Sequence, residues 1–151
     1  MLKKISYKKW ILIIIGIFLI WNLVWWVTTT VKYQKYVEAV PKDTTGLNIT
    51  QEDGYTYFVK KPGYLRFIGN LSVSTNNKSA SLIIWPKMIG GYKYGIRIQD
   101  DKQAYEVYLD KNMNPTNKFQ KDKSIQNALE KNKAVIKTLF NKTESKFDLS
   151  N

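Results

Sequence analysis

The side chains able to do chemistry are few in kind. Among 151 residues there are 12 Asp+Glu, 24 Lys+Arg and ten Tyr, with neither His nor Cys. The usual Ser-His-Asp and Cys-His nucleophiles, Cys/His zinc sites, haem and iron–sulfur ligation and disulfides are thereby excluded. A general base would have to be a carboxylate, a lysine or a tyrosine. The carboxylates fall as Glu52-Asp53 and Asp100-Asp101, with Glu106 and Asp110 among those standing singly. Hydrolysis of a glycosidic bond needs two carboxyls converging from different directions. Sequence neighbours in turns instead bond the local backbone and hold water. Asp110-Lys111-Asn112-Met113-Asn114 begins like a calcium loop, but Pro115 takes the sixth position and Lys121 the twelfth, where glycine and glutamate are needed. It reads as a loop ending a strand. No catalytic residue, metal ligand or cofactor is expected, and the chain reads as non-enzymatic.

The cations carry a different signal. Lys60, Lys61, Arg66, Lys93 and Arg97 fall on expected turns or on the outward positions of expected strands, and are the candidate patch for an anionic ligand. Such a field would attract anionic lipid, a phosphate-bearing wall polymer or an acidic protein partner. Nucleic acid is not expected, because no recognition motif accompanies the charge. The competing reading is a dispersed basic surface that keeps the domain soluble. Seven of the ten tyrosines lie between residues 54 and 109, with Trp85 beside Pro86. Exposed, such rings could stack on sugars; as strand formers, several would face the core.

The elements that must position these groups begin with Trp10 to Val27, WILIIIGIFLIWNLVWWV, eighteen residues without a charge. As a helix this run is about 27 Å long, close to the ~30 Å apolar core of a bilayer. Lys3, Lys4, Lys8 and Lys9 precede it, whereas Lys32, Lys35 and Glu38 are the charges that follow closely. The positive-inside bias then predicts residues 1–9 as a cytoplasmic segment, 10–27 as a single transmembrane helix and the rest outside the cell membrane. Trp10 at one end and Trp25 with Trp26 at the other suit the two headgroup zones. The best cleavage pattern, Val37-Glu38-Ala39, lies twelve residues beyond Val27, so the segment reads as an uncleaved signal anchor.

Residues 28–53 read as a stalk and linker. Tyr33, Tyr36, Val37 and Val40 recur at helical spacing up to Pro41, as a face for a second subunit or for the chain's own domain. Residues 54–142 read as an extracytoplasmic α+β domain. Its runs 54–59, 64–69, 71–75, 80–85, 92–98 and 104–109 are rich in aromatic and β-branched residues. Turn signals at Lys60-Lys61-Pro62-Gly63, Asn76-Asn77-Lys78, Pro86 to Gly91 and Asp100-Asp101-Lys102 separate most of them. Short connections predict an antiparallel meander of five or six strands. Gly69-Asn70 is the weakest boundary, where one bent strand could replace two.

Alternation puts Leu65 and Phe67, Tyr92 to Ile98 in steps of two, and Tyr105, Val107 and Leu109 on one greasy face. Ile125, Ala128, Leu129, Val135, Ile136, Leu139 and Phe140 predict an amphipathic C-terminal helix over 122–142 to cover it. Its basic far side could alternatively lie on anionic lipid. Residues 143–151 read as a flexible tail.

These elements predict a membrane-anchored, non-catalytic binding or accessory protein of the bacterial cell envelope, the Lys-, Ile- and Asn-rich composition being that of an AT-rich genome. The alternative is an immunity-type or regulatory protein acting on another membrane protein or a toxin. An envelope-acting enzyme is a third reading.

Overall fold

The computed structural model describes residues 6–99, 103–116 and 120–149. Lys3 and Lys4, the Asp100-Asp101-Lys102 turn and the last two residues of the expected tail lie outside them. The protein is α+β: one long helix, a six-stranded antiparallel sheet and two C-terminal helices. The elements are α1 (Tyr7–Ala39), β1 (Asn48–Glu52), β2 (Tyr55–Lys60), β3 (Asn70–Thr75), β4 (Ala80–Pro86), β5 (Tyr92–Gln99), β6 (Ala104–Leu109), α2 (Lys123–Lys131) and α3 (Lys133–Phe147). The strands follow one another in space as β1-β2-β3-β4-β5-β6, a pure meander.

α1 has two parts with opposite surroundings. None of its 18-residue apolar stretch is buried, and the helix is long and apolar enough to cross a membrane. Beyond Val27 the same unbroken helix buries Thr29, Tyr33 and Tyr36, with Val40 buried directly after its end. These positions follow helical spacing, so one stripe faces the domain. Thr29 returns its hydroxyl to the Trp25 carbonyl (2.7 Å), which hides a polar group inside the helix. The helix stops before Pro41, and the Asn48 side-chain amide donates to the Val40 carbonyl (2.9 Å), satisfying an end the ladder leaves open. The expected stalk is therefore part of the domain core, and its apolar face is used up there rather than offered to a second subunit.

The strand count of six is as expected, but its membership differs. β1 lies inside the segment read as linker, paired along its length with β2 from Asn48↔Val59 to Glu52↔Tyr55. It carries one large apolar residue, Ile49, which an edge strand tolerates because only one side and half of each face need cover. The expected strand 64–69 does not form. Its apolar alternation is satisfied by α1 instead of by neighbouring strands, and Leu65 sits at φ 58°, outside any strand geometry.

Alternation holds in the strands that form. Val59, Leu71, Val73, Leu82, Ile84, Ile96, Ile98, Val107 and Leu109 are buried on one face. α3 covers them with Ile136, Leu139, Phe140, Thr143 and Phe147, which recur at helical spacing of three and four. The C-terminal helix is divided at Asn132, whose side-chain amide donates to the Ala128 carbonyl (2.8 Å) in competition with its own main-chain N–H. α3 also runs to Phe147, well into the expected tail. Phe147 is buried with its ring against Tyr36 and Tyr57. Two lysines near the end of α3 serve the fold as well: Lys142 pairs with Asp53 (3.1 Å) and Lys146 with Glu52 (2.6 Å).

Three aspartates hold turns and a helix start. Asp43 accepts from the Thr45 hydroxyl and from the amides of Thr45 and Leu47, Asp110 from the amides of Asn114 and Asn112, and Asp122 from the Ser124 hydroxyl and the first amides of α2. Each pKa is lowered, led by the Thr45 hydroxyl bond at Asp43, the Asn114 amide bond at Asp110 and the Ser124 hydroxyl bond at Asp122. A depressed carboxyl contributes stability above its unfolded pKa of about 3.9 and loses it as pH falls through the folded value. The melting temperature of the detergent-solubilised chain should therefore be flat above about pH 5 and fall below about pH 4. The triple variant Asp43→Asn, Asp110→Asn, Asp122→Asn keeps its acceptors and should show a smaller acid drop.

Candidate functional site

A meander returns alternate connections to the same end of the sheet. The β2–β3 loop (61–69), the β4–β5 loop (87–91) and the exit from β6 therefore share one end, and α1 crosses it. Three hydrogen bonds fasten that crossing. The Tyr33 hydroxyl accepts from the Gly69 amide (2.7 Å), the Tyr36 and Tyr92 hydroxyls meet at 3.1 Å, and the Lys32 ammonium donates to the Lys87 carbonyl. Burial raises the pKa of Tyr33, opposed by the Gly69 bond, and it raises that of Tyr36 further, with the Tyr92 contact adding to it. Both stay neutral and act as buried ties.

The β2–β3 loop does more than close a hairpin. It runs back along α1 below the domain, where Trp25 donates from Nε1 to the Arg66 carbonyl (2.6 Å) and the Tyr64 hydroxyl donates to Asn22 Oδ1. Trp21 meets Phe67 edge-on at 5.6 Å and Trp25 meets Tyr64 at 5.3 Å. Asn22, the one amide in the apolar run, is satisfied twice, since its Nδ2 donates to the Phe18 carbonyl (2.7 Å). Leu65 holds a left-handed backbone that costs a side-chain-bearing residue about 1–2 kcal/mol. The loop bears that strain at its tip while Tyr64 and Phe67 grip the helix.

The five candidate cations divide between the two ends. Lys60 ends β2, opposite Asn70, and Lys61 and Arg66 follow in the loop. Lys93 stands opposite Trp85 at the start of β5. These four lie at the α1 end. Arg97 is four residues further along β5, about 13 Å away, and its guanidinium is engaged by Glu106 (3.0 Å). Three other cations at this end lie outside the predicted patch. Lys32, Lys35 and Lys87 border an open cleft of about 470 Å³ whose other walls include Val31, Tyr36, Pro86, Met88 and Tyr92. Burial lowers the pKa of Lys32. Lys32 and Lys35 are visible in the sequence as charges after the apolar run; what it does not show is that the β4–β5 loop folds against them.

The uncovered face of the sheet carries a second feature. Trp85 lies over Gly95, where a Cβ would come within 2.9 Å of its ring, and its neighbour is Tyr108 at 5.8 Å. With Ile68, Lys93 and Thr116 they line an open hollow of about 510 Å³. Of the tyrosines considered for stacking, Tyr57 is buried and Tyr55, Tyr92, Tyr94 and Tyr105 pack against the core. Tyr64 and Tyr108 are the exposed ones.

Four of the described carboxylates are engaged in structural contacts. Glu52 and Asp53 pair with α3, Glu106 pairs with Arg97, and Asp110 organises its own loop; no group of three or more His, Cys, Asp or Glu gathers among the described residues. No family model, no curated protein and no solved structure matches this chain.

Proposed function

We propose that the chain is a single-pass membrane protein of the bacterial envelope, N-terminus inside, whose outer domain is a non-catalytic binding or accessory module. The observation that carries this is α1 itself: apolar from Trp10 to Val27 with none of that stretch buried, then packed into the domain core within the same helix. Such a helix is unfavourable in water and at home in lipid, and its continuity makes anchor and domain one body. Lys8 and Lys9, with Lys3 and Lys4 before them, favour the inside orientation. Structural use of Glu52, Asp53, Glu106 and Asp110 supports binding rather than catalysis. Tethering supplies the mechanism, because a domain held at the bilayer meets other envelope components at a raised effective concentration.

The absence of cysteine gives a clean test. Asn77→Cys, in the turn after β3, should react with a membrane-impermeant maleimide on intact cells, and Ser6→Cys only after permeabilisation. The opposite pattern overturns the orientation, and full-length protein released by carbonate overturns the anchor. Under this reading, replacing Ile11 to Leu19 by leucines should preserve any partner that co-purifies after mild detergent extraction. Loss of that partner would instead favour a regulatory protein acting through its span.

A further inference from the structure

Resting on the reading that residues 10–27 cross the bilayer with the domain outside, we infer that the β2–β3 and β4–β5 loops form a second membrane contact. They dock the domain onto the lipid interface beside its own anchor. The first observation is depth. Trp21, Asn22 and Trp25, which the β2–β3 loop grips, lie two to six residues inside the end of the apolar run, about 3–9 Å below Val27. A loop in contact with those side chains is level with the apolar boundary of the leaflet.

The second observation is the distribution of greasy surface. Among the described residues outside α1, the exposed large hydrophobic ones are Leu47, Tyr64, Ile68, Met88, Ile89 and Tyr108, and all sit at or next to the α1 end of the sheet. The described far-end turns, Asp53-Gly54 and Asn76 to Ser79, are polar. Leu47 closes the Asp43 turn just before β1, and Tyr108 packs on Trp85. Tyr64, Ile68, Met88 and Ile89 remain, in the two loops, and Ile89 is 93% exposed. An isoleucine so bare at a loop tip suits a lipid interface better than water.

The third observation is charge. Lys32, at the cleft with Lys35 and Lys87, is about 7 Å beyond Val27, within the headgroup layer that adds roughly 5–8 Å to each side of the apolar core. Lys60, Lys61 and Arg66 flank the other loop. Apolar tips backed by cations match an anionic leaflet, acyl chains below and phosphates above. The surface therefore takes lipid, with anionic headgroups at the lysine cleft.

Single-cysteine variants of the full chain, labelled with an environment-sensitive fluorophore and reconstituted in phosphatidylglycerol–phosphatidylethanolamine vesicles with lipid-borne quenchers, test this. Ile68→Cys and Ile89→Cys should be quenched at least about two-fold more than Asn77→Cys, with blue-shifted emission, as loops seated in an interface require. Quenching at 68 and 89 no greater than at 77 overturns the docking, including the case where a protein partner covers the loops in cells. Ile14→Cys, in the middle of the span, separates the two readings. Quenched at 14 but not at 68 or 89, the anchor stands and the docking fails; unquenched at 14, the anchor reading itself fails. Lys32→Gln with Lys87→Gln should lower the signal at 89 toward its value in phosphatidylcholine vesicles. An unchanged signal overturns the headgroup contact.

Discussion

Phe147→Ala is expected to destabilise the domain by about 3–5 kcal/mol, the range for emptying a large aromatic site in a closed core. The ring is 2% exposed and stands edge-on between Tyr36 of α1 and Tyr57 of β2, with centroids 6.1 and 6.3 Å away. It is the point where α1, the sheet and the last turn of α3 meet. Neighbouring contacts depend on it: Lys146 pairs with Glu52 and lies over the Tyr57 ring, and Lys35 donates to the Asp148 carbonyl (2.8 Å). These polar contacts are exposed and contribute little alone. The large term is the buried ring, and its loss leaves a void bounded by Tyr57 and by Tyr36, whose hydroxyl is held by Tyr92. Denaturation of the detergent-solubilised chain should show a melting temperature lower by more than roughly 10 °C. Lys146→Gln should change it far less. A flexible end to the chain, as composition suggests, would make Phe147→Ala silent.

The contrast between Phe147 and the expected tail shows where sequence patterning stops. The meander, the long apolar helix and the core face of β3 to β6 were legible because each satisfies a strong local rule: period two, short turn-bearing connections, an uncharged run of bilayer length. Elements defined by distant partners were not. β1 has a single large apolar side chain and becomes a strand only because β2 has an unpaired edge. Residues 64–69 alternate like a strand, yet their aromatics are matched to Trp21 and Trp25, some forty residues earlier in the chain. Phe147 is separated from Ile136, Leu139, Phe140 and Thr143 by Glu144, Ser145 and Lys146, so composition near the end masks the continuing stripe. The candidate patch divides for the same reason. Lys60, Lys61, Arg66 and Lys93 were placed on turns or an outward face from local signals, but only the β5–β6 register shows that Arg97 faces Glu106.

Gly69→Ala is the second large effect, expected to cost about 2–5 kcal/mol from steric overpacking together with a lost buried hydrogen bond. A Cβ at this position would stand 2.0 Å from the Lys60 carbonyl oxygen and 2.9 Å from Lys61 C and Pro62 N. All three are backbone atoms, so no side chain can rotate away; the base of the β2–β3 loop must open. Opening pulls the Gly69 amide from the buried Tyr33 hydroxyl, leaving both without a partner, and withdraws Tyr64, Arg66 and Phe67 from α1. Gly63→Ala in the same loop meets only the Arg66 side chain at 3.9 Å and should be nearly neutral. Hydrogen exchange on the full chain distinguishes the outcomes. In Gly69→Ala, protection at residue 69 should be lost while β4 and β5 keep theirs, and melting should fall; Gly63→Ala should resemble the parent. Because the loop is tied to the helix at Asn22 and Trp25 and to the core at Tyr33, its displacement should also free α1 to pivot against the sheet. The backbone crowding at residue 69 thus sets how rigidly the sheet is held against α1.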